Sequence, residues 1–351
     1  MKKSILVIAV AATMAAPAAV MAAPTVYGNV HLSLNAADND VDGADNNLKV
    51  SSNTSAIGVK GSEDLGDGLK AIYKVEFQIA VGPGPDTTPD TDFLGANSQA
   101  GSVGTLGGRD QFIGLKGGFG AVKFGTMSSN YKQMGGKVDP LYRTPVEGRG
   151  FLQTQSNLHG GKAINRGRQT HTAQYVSPKM AGIQLVANTT FSGSNDETNG
   201  IGIRWSNKAF LVYADWIDGQ TGDAQVCDST QTCVTEAATK IGGKFTAKAF
   251  SVAAQYEMAE DRVGADYAFI AGTFNINANN MIGLTYGMQD RKEAAGDPSN
   301  DSTGLAVAYD HKMSKMTNVY VAYGMKSEDI SIADGGNGDS SMLSAGMRVK
   351  F

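Results

Sequence analysis

Apolar and polar residues alternate with a period of two over most of the chain beyond residue 24. Such alternation places successive side chains on opposite faces of a β-strand. In residues 69–80, Leu, Ala, Tyr, Val, Phe and Ile occupy one face, and Lys, Ile, Lys, Glu, Gln and Ala occupy the other. The last ten residues, 342–351, repeat the pattern and end on Phe351. These segments therefore predict strands with one apolar and one more polar face.

The connections between the predicted strands are short and long in turn. A tight turn occupies 63–68, and the longest connection runs from about 128 to 165. We count 16 strands, so both chain ends lie on the side of the short turns. This arrangement predicts an all-β protein, a transmembrane 16-stranded antiparallel β-barrel with short periplasmic turns and long external loops. The alternative is a soluble secreted sandwich or propeller, but its inward faces would not carry a charge on most strands.

The composition supports one exported barrel domain. The chain has 351 residues, of which 44 are Gly and 18% are charged, and its mean hydropathy is −0.21. A helical membrane protein would be far more apolar, and a disordered chain would lack the regular alternation. Since the composition does not change along the chain, we expect a single barrel domain, residues 23–351.

The first residues have the pattern of a secretory signal peptide. Lys2 and Lys3 precede an apolar, Ala-rich segment, and small residues at Val20-Met21-Ala22 fit a cleavage site. The predicted signal peptide is residues 1–22. Export permits a disulfide between Cys227 and Cys233, the only cysteines, within one long connection. A zinc site would need further Cys or His residues nearby.

Several motifs together resemble the trimeric general diffusion porins of Gram-negative outer membranes. They are Thr25-Val-Tyr-Gly28, the segment 57–71, the segment 112–125, Gln174-Tyr-Val-Ser-Pro178 and the terminal Phe351. The resemblance covers nearly all of the chain after the signal peptide. It implies a water-filled barrel, three barrels per assembly, and a third external loop that folds inward, here about 128–165. It also implies that Phe351 is read by the barrel-assembly machinery.

Alternation and the resemblance together predict the residues that line the pore. Strand alternation turns mostly basic side chains inward: Lys60, Lys74, Lys123, Arg168, Arg204, Lys240, Lys244 and Arg348. The inward acidic residues are fewer: Glu76, Asp215 and Glu257. Arg109 is ambiguous by alternation and is placed inward by the resemblance alone.

The resemblance also implies a ladder of arginines that faces acidic residues of the inward loop. Arg109 and Arg168 match two positions of the ladder, whereas Ala56 stands where another basic residue is expected. Lys60 and Lys74 are expected to substitute in part. The candidate loop carboxylates are Asp139 and Glu147. The residues expected at the constriction are Lys60, Lys74, Glu76, Arg109, Lys123, Arg168, Asp139 and Glu147.

The function expected from these residues is passive diffusion of ions and small hydrophilic solutes through the outer membrane. Because the inferred wall is basic, we expect a weak anion preference. The expected partners are two further copies of the chain, lipopolysaccharide and other outer-membrane lipid, and the assembly machinery. We expect no enzymatic activity, cofactor, metal or nucleic acid, since no nucleophile–base pair or metal-ligand spacing stands out. The alternatives are a substrate-selective channel and, in a different class, a barrel-type hydrolase or adhesin.

Overall fold

The computed structural model describes residues 23–39, 48–79, 81, 106–160, 167–191, 197–219, 237–291, 301–328 and 338–351. Within these ranges the chain forms β-strands and a few short helical segments, all but one of the strands 8 to 15 residues long. The first strands are β1 (Thr25–Asn39), β2 (Leu48–Ser52), β3 (Ala56–Gly66), β4 (Leu69–Gln78), β5 (Gly107–Gly117), β6 (Gly120–Ser128), β7 (Arg168–Val176) and β8 (Ile183–Thr190). The remaining strands are β9 (Thr198–Ser206), β10 (Phe210–Gly219), β11 (Ala238–Thr246), β12 (Phe250–Met258), β13 (Ala265–Asn275), β14 (Asn280–Arg291), β15 (Ser302–Lys312), β16 (Thr317–Glu328) and β17 (Ser340–Lys350).

The helical segments are short. They are α1 (Lys132–Val138), a 3-10 turn (Asn157–His159) and α2 (Glu260–Val263). No helix among the described residues is long and apolar enough to cross a membrane.

The strands form one closed antiparallel sheet. Each strand from β3 to β17 pairs with the next in sequence, and β17 pairs back with β1. The two segments β2 and β3 both pair with β1, so they are halves of one strand interrupted at 53–55. Counted in this way the barrel has 16 strands, as the alternation and the turns predict.

The first strand pair is longer than the sequence predicts. We expect a polar loop at 36–53, but β1 continues to Asn39 and β2 begins at Leu48. Alternation continues through both segments, and the main-chain pairing of residues 32–36 with 48–52 extends the sheet there. The predicted signal peptide, residues 1–22, and the predicted disulfide of Cys227 and Cys233 lie outside the described residues.

The two faces of the barrel differ as alternation predicts. Large apolar side chains on the outer face are exposed, for example Leu284 (50%) and Val321 (51%). In water such a surface would cause aggregation, whereas in a bilayer it meets lipid. Inward positions hold mostly polar, charged or small residues, together with a few large apolar ones such as Phe269 and Met342. The barrel interior is therefore the place where solutes and polar side chains meet.

Residues 129–160, which we call the inner loop, follow β6 and pack inside the barrel. Among the described residues, three apolar clusters join the inner loop to the wall: in the smallest, Tyr131 and Leu158 pack on Ile217, Ala238 and Ala259, and two larger clusters lie on the far wall. One contains Met134 and Val138 with Tyr213, Phe269 and alanines of β12 and β13. The other contains Leu141, Val146, Phe151 and Leu152 with Ala306, Ala308, Tyr320, Ala322 and Met342. The inner loop therefore covers β10–β17 and leaves β4–β9 facing the open part of the interior.

Small residues on the inner face of β14–β16 make room for this loop. A Cβ added at Gly324 would lie 2.9 Å from Val146, and one at Gly304 would lie 2.8 Å from the carbonyl oxygen of Leu152. Both distances are shorter than a normal non-bonded contact between heavy atoms. Glycine and alanine at these inward positions are thus a sequence signal for a wall that is covered by protein and not by water.

Phe351 closes the seam of the barrel. Its N–H donates to the carbonyl oxygen of Gly28 (3.1 Å), and its carbonyl accepts from the Gly28 N–H (3.0 Å). The ring lies directly over Gly28, where a Cβ would approach it to 2.6 Å. The terminal residue therefore fixes the register between the first and last strands.

Deletion of Phe351 should reduce the yield of folded barrel in the outer membrane. Both main-chain bonds and the ring contact are lost, and an open strand edge is exposed during assembly. Gel mobility of unheated samples measures the folded fraction, and Phe351→Tyr is the matched control because it keeps the ring. A deletion variant that accumulates as much folded protein as the wild type would refute this role.

Candidate functional site

A cavity of about 970 Å³ lies between the inner loop and the wall formed by β4–β11, and we call it the neck. Its lining contains two acidic side chains, Glu76 and Asp110, and twelve basic ones. The basic side chains are Lys74, Arg109, Lys123, Lys132, Lys137, Arg143, Arg149, Arg168, Lys179, Arg204, Lys208 and Lys244. The neck is thus strongly basic in a chain whose formal net charge is −4.

On the wall, Glu76 is held by cations on neighbouring strands. Arg109 Nε donates to Glu76 Oε1 (2.6 Å), and Lys74 Nζ lies 3.0 Å from Oε2. The hydroxyl of Tyr27 donates to the same oxygen (2.8 Å). This carboxylate is therefore neutralised, and its main effect is to orient the two cations along the wall.

Asp110 forms a second such cluster that the sequence did not reveal. Its carboxylate accepts from Arg168 Nε (2.9 Å) and from Lys74 Nζ (3.3 Å). The register of β4 against β5 shifts between Val75 and Phe77, so Glu76 faces two residues, Arg109 and Asp110. Such a bulge turns consecutive side chains to the same side.

The bulge explains why alternation alone left Arg109 ambiguous and did not identify Asp110 as an inward residue. Both residues line the neck, and Arg109 is 6% exposed. The Gly107-Gly108 pair that opens β5 is the only local sequence sign of irregular pairing, because Gly often marks a bulge.

Lys123 and Lys60 have different positions. Lys123 lines the neck, where its ammonium donates to Gln174 Oε1 (2.6 Å) and lies 5.1 Å from the ring centre of Phe112. Lys60 lies outside the neck, with its ammonium 4.9 Å from the ring centre of Tyr27. Lys60 pairs with Thr25 of β1 and with Lys74 of β4, so it lies beside a residue of the neck, and its place at the constriction stays a prediction.

The inner loop does not present the acidic residues that we expect to face the arginines. Asp139 and Glu147 are 4% and 0% exposed. Asp139 accepts from the N–H groups of Leu141 (2.7 Å) and Gly148 (2.9 Å), and Glu147 accepts from the Arg143 N–H (2.6 Å). In a loop, carboxylates often serve otherwise unpaired backbone N–H groups, which strand alternation does not reveal. The role of these two residues at the constriction stays a prediction.

The inner loop instead turns cations towards the neck. Arg143 and Arg149 lie over the ring of Tyr142, at 5.4 and 4.9 Å from its centre. Arg149 Nε also donates to Glu147 (2.5 Å). Lys132 donates to the carbonyl oxygens of residues 159 and 160, and burial lowers its pKa well below the usual range. Lys132 is therefore held by the backbone of the inner loop.

Glu257 on β12 anchors the inner loop to the wall. Its carboxylate is 0% exposed and accepts from the hydroxyls of Tyr131 (3.0 Å) and Ser156 (2.5 Å). His159 Nε2 lies 3.1 Å from it. Burial lowers the pKa of His159 to about 4, so the ring is neutral at pH 7 and must carry its proton on Nε2 to donate to the carboxylate. Three loop residues thus converge on one buried carboxylate.

Asn130 provides a second polar anchor at the start of the inner loop. Its N–H donates to Asn188 (2.8 Å), and its amide nitrogen donates to Asp215 (3.1 Å) and to the carbonyl of Trp216 (3.0 Å). Arg204 donates to its carbonyl oxygen (3.1 Å). The two anchors leave the middle of the loop, 132–149, facing the neck.

The pKa of Asp139 gives a testable pH dependence. Burial raises its pKa to about 7 although two backbone N–H groups favour the charged form. An unfolded Asp has a pKa of about 3.9, so between these values the folded loop holds a proton that the unfolded loop lacks. The resulting stability is complete below about pH 4 and is lost as pH rises through about 7. From pH 6.5 to 8.5 the loss amounts to roughly 0.8 kcal/mol.

We therefore expect current noise from inner-loop fluctuations to increase from pH 6.5 to 8.5, and Asp139→Asn to remove most of this increase. Single-channel recordings at the two pH values measure it. Glu197→Gln, a change at an exposed rim residue, is the control and should keep the wild-type pH dependence. Equal noise at both pH values in the wild-type channel would contradict the assignment.

Comparison with known proteins agrees with this architecture. A profile of the Gram-negative porin family matches residues 9–331. An outer membrane porin protein of Bordetella pertussis is 25% identical over 411 aligned positions that cover all of both chains. The major outer membrane protein P.IB of Neisseria gonorrhoeae is 28% identical over 221 residues, which are 60% of this chain and 56% of that protein.

Solved structures share the fold at low sequence identity. The anion-selective porin from Comamonas acidovorans superposes with a TM-score of 0.72 at 18% identity, covering 94% of this chain and 99% of that one. OmpF of Salmonella typhi, in complex with daunomycin, gives a TM-score of 0.70 at 14% identity, covering 93% and 97%. OmpT of Vibrio cholerae in its trimer form gives 0.63 at 15% identity, covering 94% and 99%. The family profile spans most of the chain, so this protein belongs to the Gram-negative porins and is a channel-forming barrel of the outer membrane.

Proposed function

We propose that this porin lets small hydrophilic solutes diffuse passively through the neck and that it prefers anions. The observation that carries the proposal is the lining of the neck, with twelve basic side chains and two acidic ones. A pore selects by its diameter and by the charges at its narrow part. The acidic pair is bound by Lys74, Arg109 and Arg168, so the remaining basic groups set the sign of the potential.

Two further findings support the proposal. The solved structure from Comamonas acidovorans, which shares the fold, is described as an anion-selective porin. In addition, Asp139 is bound to backbone N–H groups of the inner loop and Glu147 pairs with Arg149, so the described ion pairs of the loop carboxylates offset one of the twelve cations of the neck. The preference should therefore be stronger than the weak one that the sequence suggests.

We also propose that the assembly is a homotrimer, since a structural neighbour has a trimer form. The exposed apolar outer face suits outer-membrane lipid, including lipopolysaccharide, and the seam at Phe351 suits recognition by the assembly machinery. The proposed boundaries remain a signal peptide at 1–22 and a barrel at 23–351. A passive channel needs no bond-making chemistry, so we propose no enzymatic activity.

Single-channel recording of the purified protein tests this function. We expect each insertion of the protein into the bilayer to raise the conductance by one step. At high voltage each inserted assembly should close in three equal steps, as three pores per assembly require. Uncharged solutes of small size should pass without saturation. A protein that inserts into the bilayer but gives no conductance steps would overturn the proposal, and a single closing level would overturn the trimer.

A further inference from the structure

Four lysines surround the part of the neck that lies towards the short turns, and we call them the lysine mouth. Lys179 and Lys208 lie in the β7–β8 and β9–β10 turns, and Lys244 lies two residues before the end of β11. Lys137 lies in the last turn of α1, and its carbonyl oxygen accepts from Lys244 Nζ at 3.4 Å. Four separate segments thus bring ammonium groups to one opening.

Within the described ranges, none of these four lysines forms an ion pair. Lys179 donates to the hydroxyl of Ser206 (2.8 Å) and Lys244 to a carbonyl, both neutral acceptors. The carboxyl of Asp139 lies within electrostatic range of Lys244, but it is buried and bound to backbone N–H groups. The ammonium groups of the lysine mouth are therefore available to an outside anion.

The wall cluster of the neck contrasts with this opening. Lys74, Arg109 and Arg168 are opposed there by Glu76 and Asp110, so three positive charges minus two negative charges leave +1. The lysine mouth has four positive charges and no carboxylate in its lining. The lysine mouth therefore carries more uncompensated positive charge than the wall cluster, which contains the predicted arginine ladder.

We propose that the lysine mouth is a binding site for small multivalent anions of the oligophosphate type. The proposal rests on the proposed channel function, since the site lies in the solute path. Monovalent anions gain little from four separated ammonium groups in water, whereas an anion with several linked charges can engage them together. A bound oligophosphate occupies the opening and reduces the ion current.

The position of the site predicts that the block depends on the side of addition. From the side of the short turns, an oligophosphate reaches the lysine mouth directly. From the side of the long connections it must first pass the narrow space between the inner loop and the wall cluster. We therefore expect half-block at a concentration at least about tenfold lower from one side, and screening by salt should weaken it.

Planar-bilayer recording with sodium tripolyphosphate as the probe tests the site. It is added to one compartment or the other, with acetate at equal ionic strength as the reference anion. In the double variant Lys179→Gln/Lys208→Gln we expect the half-blocking concentration on the sensitive side to rise about 25-fold, about fivefold for each lysine. The block from the other side should change little, and the conductance of each variant without probe is the reference for its own block.

The matched control is Lys248→Gln/Lys315→Gln, which removes two exposed lysines from other short turns that do not line the neck. This control should keep the wild-type block. Equal block from both sides, or an unchanged half-blocking concentration in Lys179→Gln/Lys208→Gln, would overturn the site. Because the probe-free conductance is recorded first, failure of the site is distinguished from failure of the channel function.

Discussion

Replacement of Glu257 by Ala is expected to release the inner loop from the wall and to give channels with two interconverting conductance levels. The buried carboxylate accepts hydrogen bonds from Tyr131, Ser156 and His159. Its removal leaves these groups without a partner and leaves Lys240, which lies 4.1 Å from the ring centre of Tyr131, with less compensation. Breaking a buried charged network of this kind costs roughly 3–5 kcal/mol.

The Glu257→Ala substitution should destabilise mainly the packing of the inner loop and not the barrel. The 16 strands keep their main-chain pairing, and the apolar contacts of the inner loop with β12–β16 remain. We therefore expect a folded protein whose upper conductance level exceeds that of the wild type. Glu257→Gln should show fewer transitions to the upper conductance level than Glu257→Ala, since the amide oxygen still accepts a hydrogen bond. Glu197→Gln at the rim serves as control, and a single wild-type level in Glu257→Ala would exclude Glu257 as an anchor.

Neutralising both carboxylates of the neck is expected to strengthen the anion preference. In Glu76→Gln/Asp110→Asn, the charge of the wall cluster changes from +1 to +3, because Lys74, Arg109 and Arg168 remain. A unit charge about 8 Å from a passing ion changes its energy by about 0.5 kcal/mol in water, and salt screening at 0.1 M halves this value. Removing the two carboxylates lowers the energy of a passing anion and raises that of a passing cation by this amount for each carboxylate. The anion-to-cation permeability ratio then rises by about fivefold.

Reversal potentials of this variant measure the change. The control is Asp64→Asn/Asp67→Asn, which removes two carboxylates from the β3–β4 turn outside the neck. It should leave the ratio almost unchanged. If the control and the neck variant shift the ratio equally, the net charge of the protein, and not the neck, sets the selectivity.

The sequence predicted the barrel well because strand alternation is a local physical requirement. An outer face in lipid must be apolar at every second residue, so the strands and the inward positions of Lys74, Glu76 and Lys123 can be counted along the chain. The closing strand is the clearest case. Met342 and Ser344 are buried inward, and Leu343 is 50% exposed on the outside.

The site was harder to predict because two of its features do not follow from alternation. A bulge opposite Glu76 brings Asp110 into the neck, and bulges depend on pairing between strands that no single segment reveals. Asp139 and Glu147 belong to a loop whose backbone requires internal acceptors. The inward glycines and alanines of β14–β16 were visible in the sequence, but their meaning depends on knowing that the inner loop packs against them.

The reversal potential of the wild-type channel in a potassium chloride gradient tests the central claim most directly. The account predicts that chloride is the more permeant ion, because the neck is lined by twelve basic and two acidic side chains. The potential should fall towards zero as the salt concentration on both sides is raised at a constant ratio, since screening weakens the field of the neck. A reversal potential of the sign that marks cation preference would contradict the account.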